Sequence, residues 1–465
     1  MNIFKNSLVS TNLINNTLES LDKKDILNVA ERNFLNPTAK ILNENLSLTD
    51  SQDINHQLRY FESHRGLRLI NSITFKLSQQ LIIEGIKDIE FSFNPSQISK
   101  LELFFLDRLN HFSEKNLFIR LKISDDHTLA DMEKYDFKTM LSYLSIGDLW
   151  TASFIGEKIL PDNSDEVDFL HKLAIVQNNI GNTFAGETLL KRIVSKEYDT
   201  SKENQLKISA LYILAMLYIR HHDKSFHNIE LADKYLNIAF DLLNDQHFVH
   251  DDKDFMRIFN RNGHALILFK QNKIQEAINL LNDKIKELDV LIMSGKDYGL
   301  LHKTVLLYNI SQCYKVLGNY RESISILEEV INFDSNDPDY HYEIVKILFE
   351  NDEPEEALEW LNLVEKKNIA DLSIQWTLKG YYYLLNEDYV KAASCYKKAY
   401  FLEYNEEYLN EILYSYLYSL YQIGDYTEIL KINIKEFVIA DSYKKDIDNI
   451  FEKSRVELSL ENSKV

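Results

Sequence analysis

Apolar and small residues recur in the second half of the chain with the spacing of paired amphipathic helices. In the clearest stretch, large side chains stand at Trp376 and Tyr383 in one predicted helix and at Tyr396 in the next. Small residues, Gly380 and Ala392, stand where the two helices would cross. Because small residues let helices approach closely while large ones fill the surrounding space, the pattern predicts a helix–turn–helix hairpin. Such a hairpin cannot bury its apolar face alone, so we expect stacked copies.

The same spacing recurs along residues 133–443. Units in this frame begin at Glu133, Val167, Thr304, Pro338, Ser373 and Asn410, and two longer helix pairs lie at 206–244 and 258–291. The first two units are 34 residues apart. A period of this size is typical of helical repeat arrays, so the sequence predicts about eight helix pairs.

The stretch from Trp376 to Ala399 follows the pattern W-x₃-G-x₂-Y…A-x₃-Y-x₂-A. It resembles a tetratricopeptide repeat (TPR), a helix–turn–helix unit of about 34 residues. The resemblance implies a mostly α fold, an α-solenoid with a concave groove, and a protein or peptide ligand in that groove.

The ends of the chain differ from the repeats. Residues 1–130 fit no repeat register, and they change period: Asp88–Phe93 and Leu117–Ile123 alternate as strands do, with a helical pattern at Ser99–Phe112 between them. We therefore predict a small N-terminal α/β domain. The last segment, 444–465, is rich in charged residues and is predicted to be a polar tail.

The charge balance narrows the range of partners. The chain carries a net charge of −20, which disfavours nucleic acid and anionic membrane as partners because both repel an acidic surface. No stretch is apolar for long enough to predict a membrane span, and the first residues do not have the pattern of a secretory signal. The two cysteines, Cys313 and Cys395, fit buried positions in helices, so we expect a cytoplasmic protein.

No sequence pattern supports catalysis, a cofactor or a metal. The connection Asn94–Gln97 between the first predicted strand and helix has no glycine, which disfavours a phosphate-binding loop. Histidine and aspartate cluster in two loops, at His221, His222, His227, His247, His250, Asp251 and Asp252. Such residues could hold zinc if they converged, but without helical spacing they are better interpreted as solvated loop residues.

Tyrosine concentrates at the positions that face the groove in proteins with this kind of repeat. The predicted partner-binding residues are Tyr308, Tyr342, Phe349, Tyr381, Tyr414, Tyr418 and Tyr421. Tyrosine offers a large contact area at low entropic cost, which suits a binding surface. The alternative is that these rings only pack the helices. The resemblance also disfavours a clamp for C-terminal carboxylates, because Tyr308, Tyr342 and Tyr381 stand where such clamps carry Lys, Asn and Arg.

The leading hypothesis is a non-catalytic scaffold that binds a protein or peptide through the groove, with the N-terminal domain as a second contact. Two alternatives remain open at this point. One is a peptide-sensing bacterial regulator, although the strand-like segments disfavour a helix-turn-helix head. The other is an enzyme or accessory subunit whose chemistry lies in residues 1–130.

Overall fold

The computed structural model describes residues 4–5, 26–28, 30–32, 47–48, 63–93, 100–113, 118–123, 135–145, 148–296, 298–432 and 439–462. The chain divides into two compact units, residues 1–335 and 336–465. Among the described residues, no helix combines the length and the apolar content that crossing a bilayer requires.

The first unit begins with a small parallel sheet and two helices. Their bounds are β1 Phe4–Lys5, α1 Ser63–Ile83, β2 Asp88–Phe93, α2 Lys100–Phe112 and β3 Phe118–Ile123. β2 lies between β1 and β3 and pairs in parallel with both. The predicted pairing of the two alternating segments is thus confirmed. A separate domain over 1–130 stays a prediction, since Trp150 of the following helix pairs packs against the core of α1 and α2.

The rest of the first unit consists of paired helices. They are α3 Phe137–Ser145, α4 Leu149–Ile159, α5 Val167–Asn179, α6 Thr183–Val194, α7 Ser201–Met216, α8 Ile229–Asn244, α9 Lys253–Lys270, α10 Ile274–Met293, α11 Gly299–Val316 and α12 Tyr320–Phe333. A π-helical turn, Leu217–His221, and a short 3₁₀ turn, Lys224–Phe226, lengthen the connection between α7 and α8.

The second unit continues with the same element type. Its helices are α13 Pro338–Glu350, α14 Pro354–Lys366, α15 Leu372–Leu385, α16 Tyr389–Leu402, α17 Glu406–Gln422, α18 Tyr426–Lys431 and α19 Asp441–Asn462. Over the described residues, α3 to α18 form eight consecutive helix pairs, as the repeat register predicts. The chain has a TPR-like fold.

One tight turn joins the helices in six of the described pairs. Three residues connect the two helices, and the second of them has a positive φ; the six are Gly181, Asn272, Gly318, Asp352, Glu387 and Gly424. The next N–H then bonds back to a carbonyl near the end of the first helix; Asp388 N, for example, lies 2.9 Å from Tyr383 O. This is the Schellman arrangement, which caps a helix and reverses the chain in few residues. At three of these positions the residue is glycine, which adopts a positive φ without steric cost.

The small residues predicted at a helix crossing lie there. Gly380 is buried, and a Cβ added to it would come within 3.0 Å of the Tyr396 ring. Ala392 is also buried. The close packing of α15 on α16 therefore needs both small residues.

The C-terminal segment differs from the prediction of a polar tail. It forms the 22-residue helix α19, which buries Ile447, Ile450 and Phe451 in one cluster with Leu413 and Leu417 of α17. The high charge of the segment belongs to the outer side of this helix. A terminal helix of this kind covers the last repeat, as solenoids require.

Candidate binding surface

Two groups of contacting aromatic side chains lie on the helices of the second unit. Phe349 of α13 meets Tyr381 of α15 with ring centroids 5.0 Å apart. On α17, the Tyr414 and Tyr418 rings are stacked at 6.3 Å. Tyr414 also meets Tyr443 of α19 at 6.0 Å.

One further contact belongs to this set. Tyr418 meets Tyr389, the first residue of α16, at 6.2 Å. We call the set Phe349, Tyr381, Tyr389, Tyr414, Tyr418 and Tyr443 the aromatic face.

Local sequence explains why these rings share one side of their helices. Tyr414 and Tyr418 are four residues apart, so they lie one turn apart on α17. A neighbouring side of α17, about 110° around the helix, carries Leu413, Leu417 and Leu420, all buried. A helix that is apolar on both sides is usually covered on both. α17 is covered on one side only, since Tyr414 and Tyr418 stay half-buried.

Six of the seven predicted site residues are at least partly accessible. Tyr381 is 40% exposed, and Tyr414 and Tyr418 are half-buried. Phe349 is half-buried, and so is Tyr421, whose ring lies 5.7 Å from that of Tyr426. Tyr308 is half-buried on α11, in the first unit.

The structure contradicts an accessible position for Tyr342. Its side chain is only 2% exposed. Its hydroxyl accepts a hydrogen bond from Asp371 N at 2.9 Å and donates one to Asp371 O at 3.2 Å. The connection before α15 thus covers the ring, and the buried hydroxyl is hydrogen-bonded to both backbone groups of Asp371. Tyr342 is a core residue.

Two residues of the aromatic face were not predicted from the sequence. Tyr389 begins a second helix, and Tyr443 stands at the very end of the predicted array, just before the segment interpreted as a tail, so neither occupies a groove position of the repeat. A signal for Tyr443 does exist. Tyr443, Ile447, Ile450 and Phe451 follow the spacing of one helix face, which would have predicted α19 and the inward side of Tyr443.

Acidic groups lie beside the aromatic face at α17 and α19. Burial and then the charge of Asp446 raise the pKa of Tyr414. Burial and then the charge of Glu411 raise the pKa of Tyr443. Both carboxylates are on exposed residues. This end of the face therefore combines aromatic rings with negative charge.

The histidines between α7 and α8 are part of a packed network instead of a solvated loop. His222 is 3% exposed, and its Nδ1 lies 2.9 Å from Thr183 Oγ1. Its Nε2 lies 3.3 Å from Glu187 Oε2, and Glu187 also pairs with Lys191 and accepts from Tyr218. Burial lowers the pKa of His222, so the neutral form is favoured.

The other loop histidines have partners of their own. His227 Nε2 donates to the carbonyl of His222 at 2.9 Å, and His250 Nδ1 accepts from Asp252 N at 3.1 Å. Within the part of the chain that the structure describes, no three His, Cys, Asp or Glu side chains converge as a metal site would require.

No protein-family model and no curated protein matches the chain. Among solved structures, the chain is similar to a tetratricopeptide repeat protein from Parabacteroides merdae, with 18% identity over 60% of this chain and 96% of that one and a TM-score of 0.41. It is also similar to the human IFIT1 dimer with m7Gppp-AAAA, with 13% identity over 98% and 96% of the chains and a TM-score of 0.44.

A third similar structure is the Rap conjugation gene regulator of plasmid pLS20 in complex with the Phr* peptide. The identity is 12% over 98% of this chain and 97% of that one, and the TM-score is 0.35. At such scores these superpositions carry no weight for function. The TPR-like fold of the chain follows from its own eight helix pairs and their shared turn.

Proposed function

We propose that this protein is a non-catalytic scaffold that holds an extended peptide or a helix of a partner protein on the aromatic face. The observation that carries the proposal is the run of ring contacts from Tyr389 through Tyr418 and Tyr414 to Tyr443, at the edge of the core that these helices form. Phe349 and Tyr381 extend the aromatic area on α13 and α15.

Exposed apolar groups beside these rings support this function. Leu385 of α15 is 46% exposed, one turn beyond Tyr381. Single exposed apolar residues are common, but contiguous apolar area on a folded surface usually marks a contact site. Tyrosine suits such a site because it is large, has few rotatable bonds and carries a hydroxyl that tolerates water.

Removing two anchors of the aromatic face tests the proposal. Peptides are first selected from a phage-displayed random library on the full chain, and the binding of one selected peptide is measured by calorimetry. The double variant Tyr381→Ala/Tyr418→Ala should bind this peptide about thirtyfold more weakly, since a buried aromatic anchor contributes about 2 kcal/mol or more.

Matched variants separate lost contact from lost structure. Tyr381→Phe/Tyr418→Phe keeps both rings and should keep most of the affinity. Val390→Ser removes an exposed apolar side chain from α16, outside the aromatic face, and should leave binding unchanged. If the alanine variant has a normal melting curve and still binds the peptide as the wild type does, the binding site lies elsewhere on the chain. Selection of no peptide above a mock surface would also count against the proposal.

The proposal extends to the organisation and location of the protein. We infer that residues 1–130 form an α/β module that adds a second contact, residues 133–443 form the binding array, and the protein acts in the cytoplasm. The parallel pairing of β2 with β3 disfavours a helix-turn-helix head, so the DNA-binding regulator remains the less favoured alternative.

A further inference from the structure

We propose that Tyr414 and Tyr443, flanked by Glu411 and Asp446, form a subsite for a positively charged side chain of the bound segment. The partner would place a lysine or arginine there and apolar side chains against Tyr381 and its neighbours. This inference rests on the proposed function and specifies the chemistry of the partner.

The rings at this end of the aromatic face are open on one side. Tyr414 and Tyr443 lie at an angle of 43° with centroids 6.0 Å apart, and Tyr418 continues the surface beyond Tyr414. All three rings are half-buried, so each has a covered part and an accessible part. A cation within about 6 Å of such a ring centroid is attracted by the negative π face.

The nearby charges favour a cation over an anion. The carboxylate of Asp446 acts on the Tyr414 phenol, and that of Glu411 acts on the Tyr443 phenol. Asp446 stands three residues after Tyr443 and therefore on the same side of α19. Lys444 and Lys445 stand about 100° and 200° around the helix from Tyr443. They line a surface depression of α19 together with Asp441, Asp446, Asp448 and Glu452, so acidic groups outnumber the lysines there. An anionic group would meet two like charges here.

The second unit already uses the same chemistry internally. Lys398 Nζ lies 3.8 Å from the centroid of the Trp376 ring, and Lys391 Nζ lies 5.1 Å from that of Tyr383. These lysines show that cation–π contacts form on the helices that neighbour the subsite. Tyr414 and Tyr443 have the same kind of ring surface together with acidic neighbours.

The test compares peptides selected by two forms of the full chain. A phage-displayed random library is selected on the wild type and on Glu411→Gln/Asp446→Asn. We expect wild-type peptides to be enriched in Lys or Arg next to apolar residues, and we expect that enrichment to disappear in the variant. A selected peptide should bind the variant about tenfold more weakly, and replacing its basic residue with norleucine should lose a similar factor.

A control double variant changes the net charge of the protein by the same amount as the subsite variant does. Glu355→Gln/Glu359→Gln removes two exposed carboxylates from α14, outside the subsite, and should leave both the enrichment and the affinity unchanged. If it weakens binding as much as the subsite pair does, only the overall negative charge attracts the peptide, and the subsite is wrong.

Other outcomes separate this inference from the proposed function. Wild-type peptides that are apolar without a basic residue would overturn the cation subsite, while sensitivity to Tyr381→Ala/Tyr418→Ala would still support the aromatic face. Acidic peptides would overturn the subsite outright. If no peptide is selected, the proposed function fails and this inference fails with it.

Discussion

The two units of the chain treat the first helices of their pairs differently. In the first unit, side chains link neighbouring first helices: His171 Nε2 lies 2.9 Å from Ser209 Oγ, and Asn309 donates to Asn262 at 2.8 Å. His171 and Asn262 are buried polar residues. In the second unit, the corresponding helices carry partly exposed rings such as Tyr381 and Tyr418.

The difference shows that one repeat architecture can use this side of its helices in two ways. Hydrogen bonds between buried polar groups fix the neighbours in one arrangement, because leaving either partner unpaired is costly. Half-buried rings have contact area left over for another molecule. In the first unit, these side chains therefore hold neighbouring helices together. The second unit is the better candidate for binding a partner.

The largest expected effect is a loss of stability on mutation of a buried residue of α17, compared with mutation of its partly exposed neighbour. Leu417 is fully buried and Tyr418, its neighbour in sequence, is half-buried. Leu417→Ala should lower the free energy of unfolding by about 2–5 kcal/mol, because it leaves a cavity. Tyr418→Ala should cost clearly less and act mainly on ligand binding. Equal losses of stability in chemical denaturation would mean that Tyr418 is core, and the comparison would fail.

The second-largest expected effect is the pH dependence of stability that a buried carboxyl group causes in the first unit. Asp148 caps α4 by accepting from Thr151 N at 3.0 Å, and burial raises its pKa to about 6. A raised carboxyl pKa means that the folded state holds the proton more tightly than the unfolded state. The contribution of Asp148 to stability is then fully present below about pH 4 and is lost as pH rises through 6, by about 3 kcal/mol.

Asp148→Asn keeps an acceptor for Thr151 N but removes the buried charge. At pH 7 it should stabilise the fold by about 1–3 kcal/mol, and the difference should vanish near pH 4. The matched variant in the second unit is Asp388→Asn, since Asp388 caps α16 from a partly exposed position and Lys391 lowers its pKa. That variant should give no such gain. Melting temperatures measured from pH 4 to 7 would contradict this account if both variants behaved alike.

The smallest effect concerns the tight turn that both units share. Glu387 holds the left-handed conformation with a φ of 56°, where Gly318 of the first unit has 75°. Because glycine adopts this conformation without steric cost, Glu387→Gly should raise the free energy of unfolding by about 0.5–1 kcal/mol. Gly318→Glu should lower it. A loss of stability on Glu387→Gly in chemical denaturation would mean that contacts of the Glu387 side chain outweigh the backbone strain.

Sequence patterns were reliable where the determining contacts are local. The spacing of Trp376, Gly380 and Tyr396 predicted a hairpin, and the structure places the ring of Tyr396 against Gly380. The alternation at 88–93 predicted a strand, and β2 forms there. Helix periods, strand periods and tight turns depend on residues within a few positions of one another, so the chain determines them by itself.

The candidate site was predicted only in part, because exposure depends on the neighbours that cover a residue. The repeat positions of Tyr342 and Tyr381 are equally favourable for a groove, yet the segment around Asp371 closes over Tyr342 and leaves Tyr381 open. Tyr443 joins the face only because α19 folds back onto α17. Sequence spacing gives the side of a helix on which a residue lies. It does not give what packs on that side.

The sequence by itself determined the repeated hairpins, their small crossing residues and the strand–helix–strand segment, since each follows from short-range sterics and periodicity. The tertiary structure alone decided which tyrosines are core and which form the aromatic face. It also decided that His222 is buried against Thr183, and that the charge of Asp446 acts on Tyr414 while that of Glu411 acts on Tyr443. Those outcomes depend on contacts between residues far apart in the chain, where burial and charge are set by the packed neighbours and not by the local pattern.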